Sequence, residues 1–304
     1  MSLNRKKLVV LTGPTAVGKT EYAIELAKHF NTEIVSCDSR QFFKEMSIGT
    51  AVPSAEELQR VKHHFIHHKS VEDYYNVSLF EQDVLSLLDV LFQEKDYVVM
   101  TGGSGLYIDV VINGIAELPD ADLDLRERLQ LEFEEKGLIF MQEKLKDLDY
   151  DYYNTVDLFN KNRVLRGIEV CLQTGQPFSE LRKYASAKRS FDVVKVCLMR
   201  ERSELYERIN KRVDAMMEQG LLEEVKSLIP KRHYQSLNTV GYKEFFEFFD
   251  GKVSLEQAIE NVKTNSRRYA KRQITWFKRD LNYHYVELTN NVVSDLFRII
   301  KTVL

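Results

Sequence analysis

A glycine-rich segment near the amino terminus constrains this chain more than any other feature. Residues 13–20 form a G-x-x-x-x-G-K-T pattern, which follows the apolar run 8–11 and precedes apolar residues at helical spacing. A strand, a glycine-rich turn and a helix in this order direct backbone N–H groups and the positive helix end at one point, where Lys19 adds a full charge. The segment predicts a phosphate-binding loop made of Gly13, Pro14, Thr15, Ala16, Val17, Gly18, Lys19 and Thr20.

Short apolar runs alternate with helical patterns along much of the sequence. Residues 33–37, 97–100 and 193–198 have the character of buried strands, and residues 79–92 carry apolar side chains at helical spacing. Strands that alternate with helices favour a parallel sheet covered on both faces, with ligands at the carboxyl ends of the strands. We therefore predict an α/β fold, a P-loop-type parallel sheet covered by helices.

One stretch breaks this alternation and predicts a second domain. Residues 117–190 show helical patterns, for example over 125–133 and 164–172, without a convincing buried strand. We interpret them as a mostly helical insertion domain, with residues 1–116 and 191–304 forming the core domain. From residue 203 onward the pattern is helical again, with a loop near 230–241 and a long basic helix over about 255–280.

The charge distribution points to a polyanionic partner although the net charge is −3. Residues 117–157 hold 13 Asp and Glu against 5 Lys and Arg, whereas residues 263–279 hold seven Lys and Arg and no acid. Tyr269 and Trp276, the only tryptophan, are interleaved with these basic residues, as suits phosphate contacts with base stacking. RNA binding is the sharper interpretation of this helix, and a solvated surface is the alternative.

Cysteines, histidines and apolar runs limit the remaining classes of protein. The three cysteines are far apart and lack metal-ligand spacing, so we expect free thiols in a reducing cytosol. Four histidines at positions 63, 64, 67 and 68 have no carboxylate or cysteine at matching spacing, which favours loop packing over metal binding. The first apolar run is too short for a signal peptide or a membrane span. We expect a cytoplasmic protein.

Asp38 follows the second predicted strand, so it is expected at the carboxyl edge of the sheet beside the loop. It serves either the chemistry or the cap of its own turn. ATPases and GTPases of this class also carry a distal strand that ends in Asp and orients magnesium. Here the two later strands run into Thr-Gly-Gly-Ser and Met-Arg, which weakens a hydrolase interpretation. We expect Thr20, as the metal ligand, and Ser104 to offer hydroxyls to a magnesium-bound phosphate.

Arg212 lies where the helical period places apolar side chains. Leu205, Ile209 and Met216 define an apolar stripe, and at about 100° per residue Arg212 falls inside it. A charge on an inward face needs a partner. Arg212 therefore either forms a structural salt bridge, or buries its stem and extends its charge to solvent, or binds the phosphates of a ligand, for which the planar guanidinium is suited.

With these residues identified, the chain resembles the tRNA dimethylallyltransferase (isopentenyltransferase) family in its bacterial form, over nearly its whole length. The resemblance rests on the loop 13–20 and on short motifs elsewhere in the sequence. These motifs are residues 38–41, 48–51, 102–107, 162–166, 174–179, 240–244 and 270–277.

The resemblance implies transfer of a dimethylallyl group from dimethylallyl diphosphate to N6 of adenosine 37, in tRNAs that read codons beginning with U. It makes the loop a diphosphate cradle that works with Mg²⁺. Asp38 becomes the base for the attacking amine, Ser104 stands where threonine is usual, and Arg212 neutralises the leaving diphosphate. Candidates for an apolar slot around the allyl tail are Phe42, Phe43 and Tyr107.

The resemblance also implies that a monomer, with no membrane and no obligate protein partner, binds the anticodon stem-loop of tRNA. The insertion domain takes part in this contact. The residues that match tRNA-contacting segments are Asp38, Ser39, Arg40, Gln41, Ser104, Arg126, Asn162, Arg163, Val164, Leu165, Arg166, Val240, Gly241, Tyr242, Lys243, Lys271, Arg272, Gln273, Trp276 and Arg279.

Three positions depart from the pattern, and two other functions stay open. Val52, Phe43 and His67 stand where the family commonly has lysine, tyrosine and aspartate, which puts peripheral contacts in doubt. A small-molecule or nucleoside kinase would use the same loop with Asp38 at the acceptor hydroxyl. An RNA-binding switch would use the basic helix without turnover.

Overall fold

The structure is a computed structural model, and it describes residues 5–116, 118–182, 188–288 and 292–303. The chain divides into two compact units, one formed by Met1–Ile112 together with Arg189–Leu304 and the other by Asn113–Lys188. We call them the core unit and the insertion unit. The phosphate loop and the two cavities beside it belong to the core unit.

The core unit is built on one six-stranded sheet. Its strand order is β3-β2-β4-β1-β5-β6, and every pairing is parallel, which confirms the predicted α/β sheet. The strands are β1 Lys7–Thr12, β2 Ile34–Ser36, β3 His63–His64, β4 Tyr97–Gly102, β5 Asp192–Met199 and β6 Tyr283–Glu287.

Thirteen helices are assigned within the described residues, and helices α5 to α8 form the insertion unit. They are α1 Lys19–His29, α2 Ala55–Arg60, α3 Val77–Glu94, α4 Gly105–Asn113, α5 Leu123–Leu148, α6 Tyr150–Thr155, α7 Lys161–Thr174, α8 Phe178–Arg182, α9 Arg202–Glu218, α10 Leu221–Ser227, α11 Lys243–Phe249, α12 Leu255–Phe277 and α13 Val292–Val303. Two short 3₁₀ helices, Ile229–Lys231 and Gln235–Leu237, lie in the region predicted as a loop.

The central strand β1 explains why the sheet could be predicted. Its run Leu8, Val9, Val10 and Leu11 is fully buried because helices cover both faces of the sheet. Strands β4 and β5 flank β1, and β2 pairs with β4 on the far side, so the carboxyl ends of all four strands lie along the edge that holds the phosphate loop. This edge of the sheet collects the side chains of the candidate site.

The edge strands β3 and β6 are absent from the sequence prediction. Strand β3 consists of His63 and His64, which were expected in a packing loop. Two polar residues give no alternation of apolar and polar side chains from which a strand could be predicted. Their rings are bonded locally: His63 Nδ1 lies 2.8 Å from the carbonyl oxygen of Val61, and His64 Nε2 lies 2.5 Å from a carboxylate oxygen of Glu33. The structure therefore places these two histidines on an edge strand, each with one local ring contact.

The insertion unit has a hydrophobic core of its own. Apolar residues from α5, α6, α7 and α8 form it, including the fully buried Met141, Leu145 and Ile168. Helix α5 is interrupted at Gly137, whose φ of 78° is accessible to glycine at little cost. None of the described helices of either unit has the length and hydropathy needed to cross a bilayer. The three cysteines are buried free thiols.

Candidate active site

The phosphate loop connects β1 to α1 and depends on its glycines. Gly13 has φ 149° and Gly18 has φ 106°, both in the region that favours glycine. A Cβ atom at Gly13 would lie 2.6 Å from the carbonyl oxygen of Leu198 on β5. The loop therefore passes close to the neighbouring strand and enters α1 at Lys19 with its amides at the positive helix end.

Side chains from the second half of the chain hold this loop from outside. The carbonyl oxygens of Ala16 and Val17 accept from Arg208 Nε at 2.8 Å and Arg200 Nε at 2.9 Å. Gln273 on α12 accepts from the Thr15 N–H at 2.8 Å. The loop is thus braced from several sides, which favours electrostatic preorganisation around an anion.

Lys19 is desolvated at the centre of the loop. Its Nζ donates to the carbonyl oxygens of Gly13 and Pro14, each at 3.0 Å. Burial lowers the pKa of Lys19 to about 8, the charge of Arg212 acts in the same direction, and Asp38 opposes it. An ammonium group that has lost water attracts a phosphate strongly.

Asp38 directly follows β2 and combines both roles considered from the sequence. Its Oδ1 accepts from the Arg40 N–H at 3.0 Å and so caps the turn. Within the described residues, Oδ2 has no hydrogen-bond partner in the structure. The carboxylate therefore keeps one oxygen for a ligand.

Two neighbouring cavities meet at Asp38. The smaller one, about 100 Å³, contains the phosphate loop, and we call it the loop cavity. The larger one, about 330 Å³, lies against α9, α11 and α12, and we call it the outer cavity. The residues that line both are Thr15, Asp38, Thr50, Ala51, Arg212 and Tyr269.

Arg212 stands at this junction. It belongs to α9, whose buried stripe includes Leu205, Ile209 and Val213. Its Nη1 donates to Thr15 Oγ1 at 3.2 Å, and no carboxylate of the described ranges lies within 4 Å of the guanidinium. The structural-acid alternative is therefore wrong for the described residues, and the free donors of Arg212 are available to a ligand.

Ser104 supports the Asp38 turn from behind. Its Oγ accepts from the Ser39 N–H at 3.1 Å and lies 3.2 Å from Ser39 Oγ. Ser104 lies outside the walls of both cavities. In this structure the hydroxyl orients the turn, and its contact with a phosphate or metal stays a prediction.

The outer cavity collects many of the residues predicted to contact tRNA. Gln41 lines the loop cavity and donates from Nε2 to the carbonyl oxygens of Thr50 at 3.2 Å and Ala51 at 3.0 Å. Lys271 and Arg279 are exposed on or just after α12. The predicted residues that line the outer cavity are Asp38, Ser39, Arg40, Val240, Gly241, Lys243 and Arg272.

Three other predicted contact residues serve inside the protein. Tyr242 is fully buried and Gln273 is 5% exposed. Gln273 Nε2 donates to the carbonyl oxygen of Gly103 at 3.0 Å, and Trp276 Nε1 donates to Asp109 at 3.0 Å. The amide of Gln273 is therefore occupied within the protein, which leaves no direct readout by Gln273 in this arrangement. The Trp276 N–H is occupied too, but the ring is only half-buried, so base stacking by Trp276 stays a prediction.

The insertion unit carries the remaining predicted contacts. Arg126 and Arg166 both pair with the buried Glu169, at 2.9 and 2.8 Å. Asn162 and Arg163 are exposed in the first turn of α7, whereas Val164 is fully buried and Leu165 packs against the insertion core. Contact through the Val164 side chain is therefore excluded in this structure.

The aromatic residues considered for an apolar slot lie elsewhere. Phe42 and Phe43 are 1% and 4% exposed, and Phe42 stacks in an aromatic cluster with Phe80 and Tyr107. None of the three candidates lines either cavity. The apolar wall of the loop cavity is instead made of Ala16, Ala51, Pro53 and Ile66.

One residue noted from the sequence and one that was missed also build the site. Tyr269, noted among the basic residues, lines both cavities, and burial raises its pKa to about 12. Glu224 on α10 accepts hydrogen bonds from three consecutive N–H groups of residues 47–49. A signal existed for Glu224, because the spacing of Leu221, Glu224 and Val225 places a charge on an apolar helix face.

Comparisons with known proteins agree with this geometry. A family model described as IPP transferase matches residues 41–280. The tRNA dimethylallyltransferase of Christiangramia forsetii is 48% identical over 284 residues, which cover 93% of this chain and 94% of that protein.

Solved structures give the same family. The full-length tRNA isopentenylpyrophosphate transferase of Bacillus halodurans superposes with a TM-score of 0.72 at 35% identity, covering 98% of this chain and 96% of that one. A eukaryotic dimethylallyltransferase acting on tRNA gives a TM-score of 0.80 at 25% identity, covering 97% of this chain and 78% of that one. These matches confirm the resemblance inferred from the motifs, and the chain belongs to the IPP transferase family.

Proposed function

We propose that this protein transfers a dimethylallyl group from dimethylallyl diphosphate to N6 of adenosine 37 in tRNAs that read codons beginning with U. The observation that carries the proposal is the junction of two cavities at Asp38 and Arg212. The loop cavity suits a diphosphate with a short apolar tail. The outer cavity combines basic side chains such as Arg40, Lys243 and Arg272 with apolar ones, as suits the phosphate and the base of an RNA nucleotide.

The bond changes follow from this placement. The exocyclic amine of adenine attacks the allylic carbon, a C–N bond forms, and the C–O bond to the diphosphate breaks with its electron pair leaving on oxygen. The free oxygen of Asp38 accepts the proton of the amine. Asp38 lines both cavities, so one carboxylate reaches the donor and the acceptor.

The leaving diphosphate is stabilised by charge and by preorganised donors. Lys19 has carbonyl oxygens as its present partners, and Arg212 has a single threonine hydroxyl, so both have donors to offer. Such groups act strongly in a site with little water, because charge that develops on the departing oxygen finds donors already in place.

Magnesium fits the donor set of the loop cavity. The described residues contain no cluster of three or more His, Cys, Asp or Glu that would hold a metal alone. Thr20 and Asp38 both line the loop cavity, and a hydroxyl, a carboxylate and substrate phosphate oxygens are ligands that Mg²⁺ accepts. When bound there, Mg²⁺ would neutralise charge on the diphosphate oxygens.

The acceptor must leave its base stack to reach Asp38. Enzymes that act on a base extrude it into a pocket, and bases of a loop are less costly to extrude than paired ones. Three cations line the outer cavity, namely Arg40, Lys243 and Arg272. Lys271, which precedes Arg272, is exposed to solvent. We assign these cations, with Asn162 and Arg163 of the insertion unit, to the tRNA backbone.

Pyrophosphate binding should report the charge state of Lys19. The pKa of Lys19 is about 8 in the free protein, and a bound anion raises it. The affinity for pyrophosphate is therefore at its maximum below pH 8. It falls by up to about tenfold per pH unit between the pKa of Lys19 in the free protein and its higher pKa in the complex. Calorimetry at pH 7 to 9.5 in buffers of different ionisation enthalpy should show proton uptake at the alkaline end.

The matched comparison uses Lys19→Met and Lys28→Met. Lys28 lies at the far end of the same helix, so its variant should keep the wild-type profile. Ionisation of pyrophosphate is common to all three proteins and cancels in the difference. If Lys19→Met had the same pH dependence of pyrophosphate affinity as the wild type, another group would be responsible for the titration.

Charge on the basic helix should set the salt dependence of tRNA binding. Replacing Lys271 and Arg272 with glutamine should weaken tRNA binding and reduce the slope of log K against log salt by about 1 for each phosphate that is no longer neutralised. The control is the pair Lys28→Gln and Arg298→Gln, which removes the same charge at exposed sites on α1 and α13. Equal slopes for the two pairs would make α12 an ordinary solvated surface.

One incubation tests the proposed function. Unmodified tRNA, Mg²⁺ and dimethylallyl diphosphate are incubated with the protein, and digested RNA is examined by mass spectrometry for prenylated adenosine at position 37. ATP consumption with a metabolite and unchanged tRNA would support a kinase instead. Unaltered donor after prolonged incubation with bound tRNA would support an RNA-binding switch.

A further inference from the structure

A short turn that closes both cavities is held by one carboxylate. The turn covers residues 47–51, of which Thr50 and Ala51 line both cavities and Gly49 lines the outer one. Ala51 has a φ of 51°, an uncommon conformation for a residue with a side chain. The turn therefore needs support from outside to keep its shape.

Glu224 gives that support. Its Oε2 accepts from the N–H groups of Ser47 at 3.0 Å and Ile48 at 2.8 Å, and its Oε1 accepts from Gly49 at 3.0 Å. Within the described ranges, no lysine or arginine lies within 4 Å of this carboxylate. Its charge is thus compensated by backbone dipoles, in the manner of an anion bound in a nest of amides.

The same carboxylate also binds a second segment beside the outer cavity, residues 240–242. The hydroxyl of Tyr242 donates to Glu224 Oε1 at 2.7 Å, and burial raises the pKa of Tyr242 above its ordinary value. A Cβ at Gly49 would lie 2.7 Å from the Tyr242 ring, so the turn rests directly on this side chain. Tyr242 follows Val240 and Gly241, which line the outer cavity, and a Cβ at Gly241 would lie 3.7 Å from the carbonyl oxygen of Gly49, so this segment lies beside the turn.

We propose that Glu224 is a positioning residue that holds residues 47–51 and 240–242 in register, and so places the acceptor base against Asp38. This inference rests on the proposed function, because it names how that site receives its acceptor. Phosphate contacts determine most of the tRNA affinity, and the cavity walls determine the orientation of the base. Loss of the clamp should therefore reduce the rate of transfer more than the binding of tRNA or donor.

Glu224→Gln is the sharpest variant. A glutamine offers one acceptor oxygen and an NH₂ group to four donors, so at least one N–H loses its acceptor. We expect kcat to fall about tenfold to hundredfold. The KM for tRNA should stay within about threefold, because the phosphate contacts are intact. The dissociation constant of pyrophosphate should stay within about threefold, because Thr50 and Ala51 line the loop cavity but the donors of the phosphate loop are intact.

Companion variants separate positioning from folding. Glu223→Gln changes the exposed neighbour on α10 and should behave as wild type. Glu224→Asp keeps both acceptor oxygens and should recover part of the rate. Tyr242→Phe removes one donor, and combining it with Glu224→Gln should cost no more than Glu224→Gln alone, because both break the same clamp.

Pyrophosphate stoichiometry counts the folded sites in each preparation. A Glu224→Gln protein that binds a full equivalent of pyrophosphate but turns over slowly supports the clamp. A kcat within twofold of Glu223→Gln, or a loss of kcat that only matches a loss of pyrophosphate sites, overturns it. A wild-type protein without any transfer overturns the proposed function, and the inference with it.

Discussion

Asp38→Asn is expected to slow transfer by about 10²- to 10⁴-fold, the range of a positioned general base. Asparagine keeps an oxygen at the Oδ1 position, so the bond from the Arg40 N–H and the turn persist. The carboxylate oxygen that faces the cavities is replaced by an amide nitrogen, which does not accept a proton from the attacking amine. Single-turnover rates with saturating tRNA and donor measure this effect directly.

A second substitution separates the two roles of Asp38. Asp38→Ala removes the base and the cap together. Any loss of rate beyond that of Asp38→Asn therefore measures how much the capped turn contributes to transfer. Binding of tRNA and pyrophosphate should be retained by Asp38→Asn, because neither the basic helix nor the loop is altered. If its single-turnover rate stayed within about threefold of wild type, another group would be the base.

Local patterns were sufficient for the elements that meet at this site. The phosphate loop is continuous in sequence, and Asp38 follows an apolar strand within 20 residues of it. Parallel strands place their carboxyl ends at one edge, so the neighbourhood of the loop and Asp38 follows from topology alone. Strand β1 could be predicted because its residues are apolar without alternation, as is typical of a strand that is buried on both faces.

Contacts between distant segments were not predictable in the same way. Gln273 and Trp276 lie in a basic helix, and sequence alone does not distinguish an amide that binds RNA from one that braces the loop at Thr15. The edge strands β3 and β6 are short and have one buried face at most, so their period is weak. The two cavities are bounded by loops and by helices α9, α11 and α12, which are far apart in sequence and are brought together by the fold.

An inward charge on an apolar helix face was the most useful long-range signal. Arg212 was found by it, and the same reasoning applied to α10 would have found Glu224. Neither residue has an oppositely charged partner among the described residues. Arg212 is available to a ligand, whereas Glu224 is satisfied by backbone amides. The helical spacing of apolar residues thus reveals that a charge is buried, and the structure reveals what it binds.

Arg212→Met is expected to reduce kcat by about 10²- to 10³-fold, as when one preorganised donor to developing charge is removed. Methionine preserves much of the stem and removes the guanidinium. The control is Lys211→Met, at the preceding residue of α9. The side chain of Lys211 is 74% exposed and paired with Glu207, so the kcat of this variant should stay at the wild-type value.

Ground-state binding of the donor should respond much less than kcat to this change. Lys19 and the N–H groups at the start of α1 stay in place when Arg212 is replaced, and they continue to attract the diphosphate in the ground state. The KM for the donor should therefore change by less than about tenfold while kcat falls further, the pattern of an interaction made mainly in the transition state. Partial recovery of the rate with added guanidinium ion would place the missing charge at this position. A loss of donor binding that accounts for the whole effect would instead make Arg212 a binding residue.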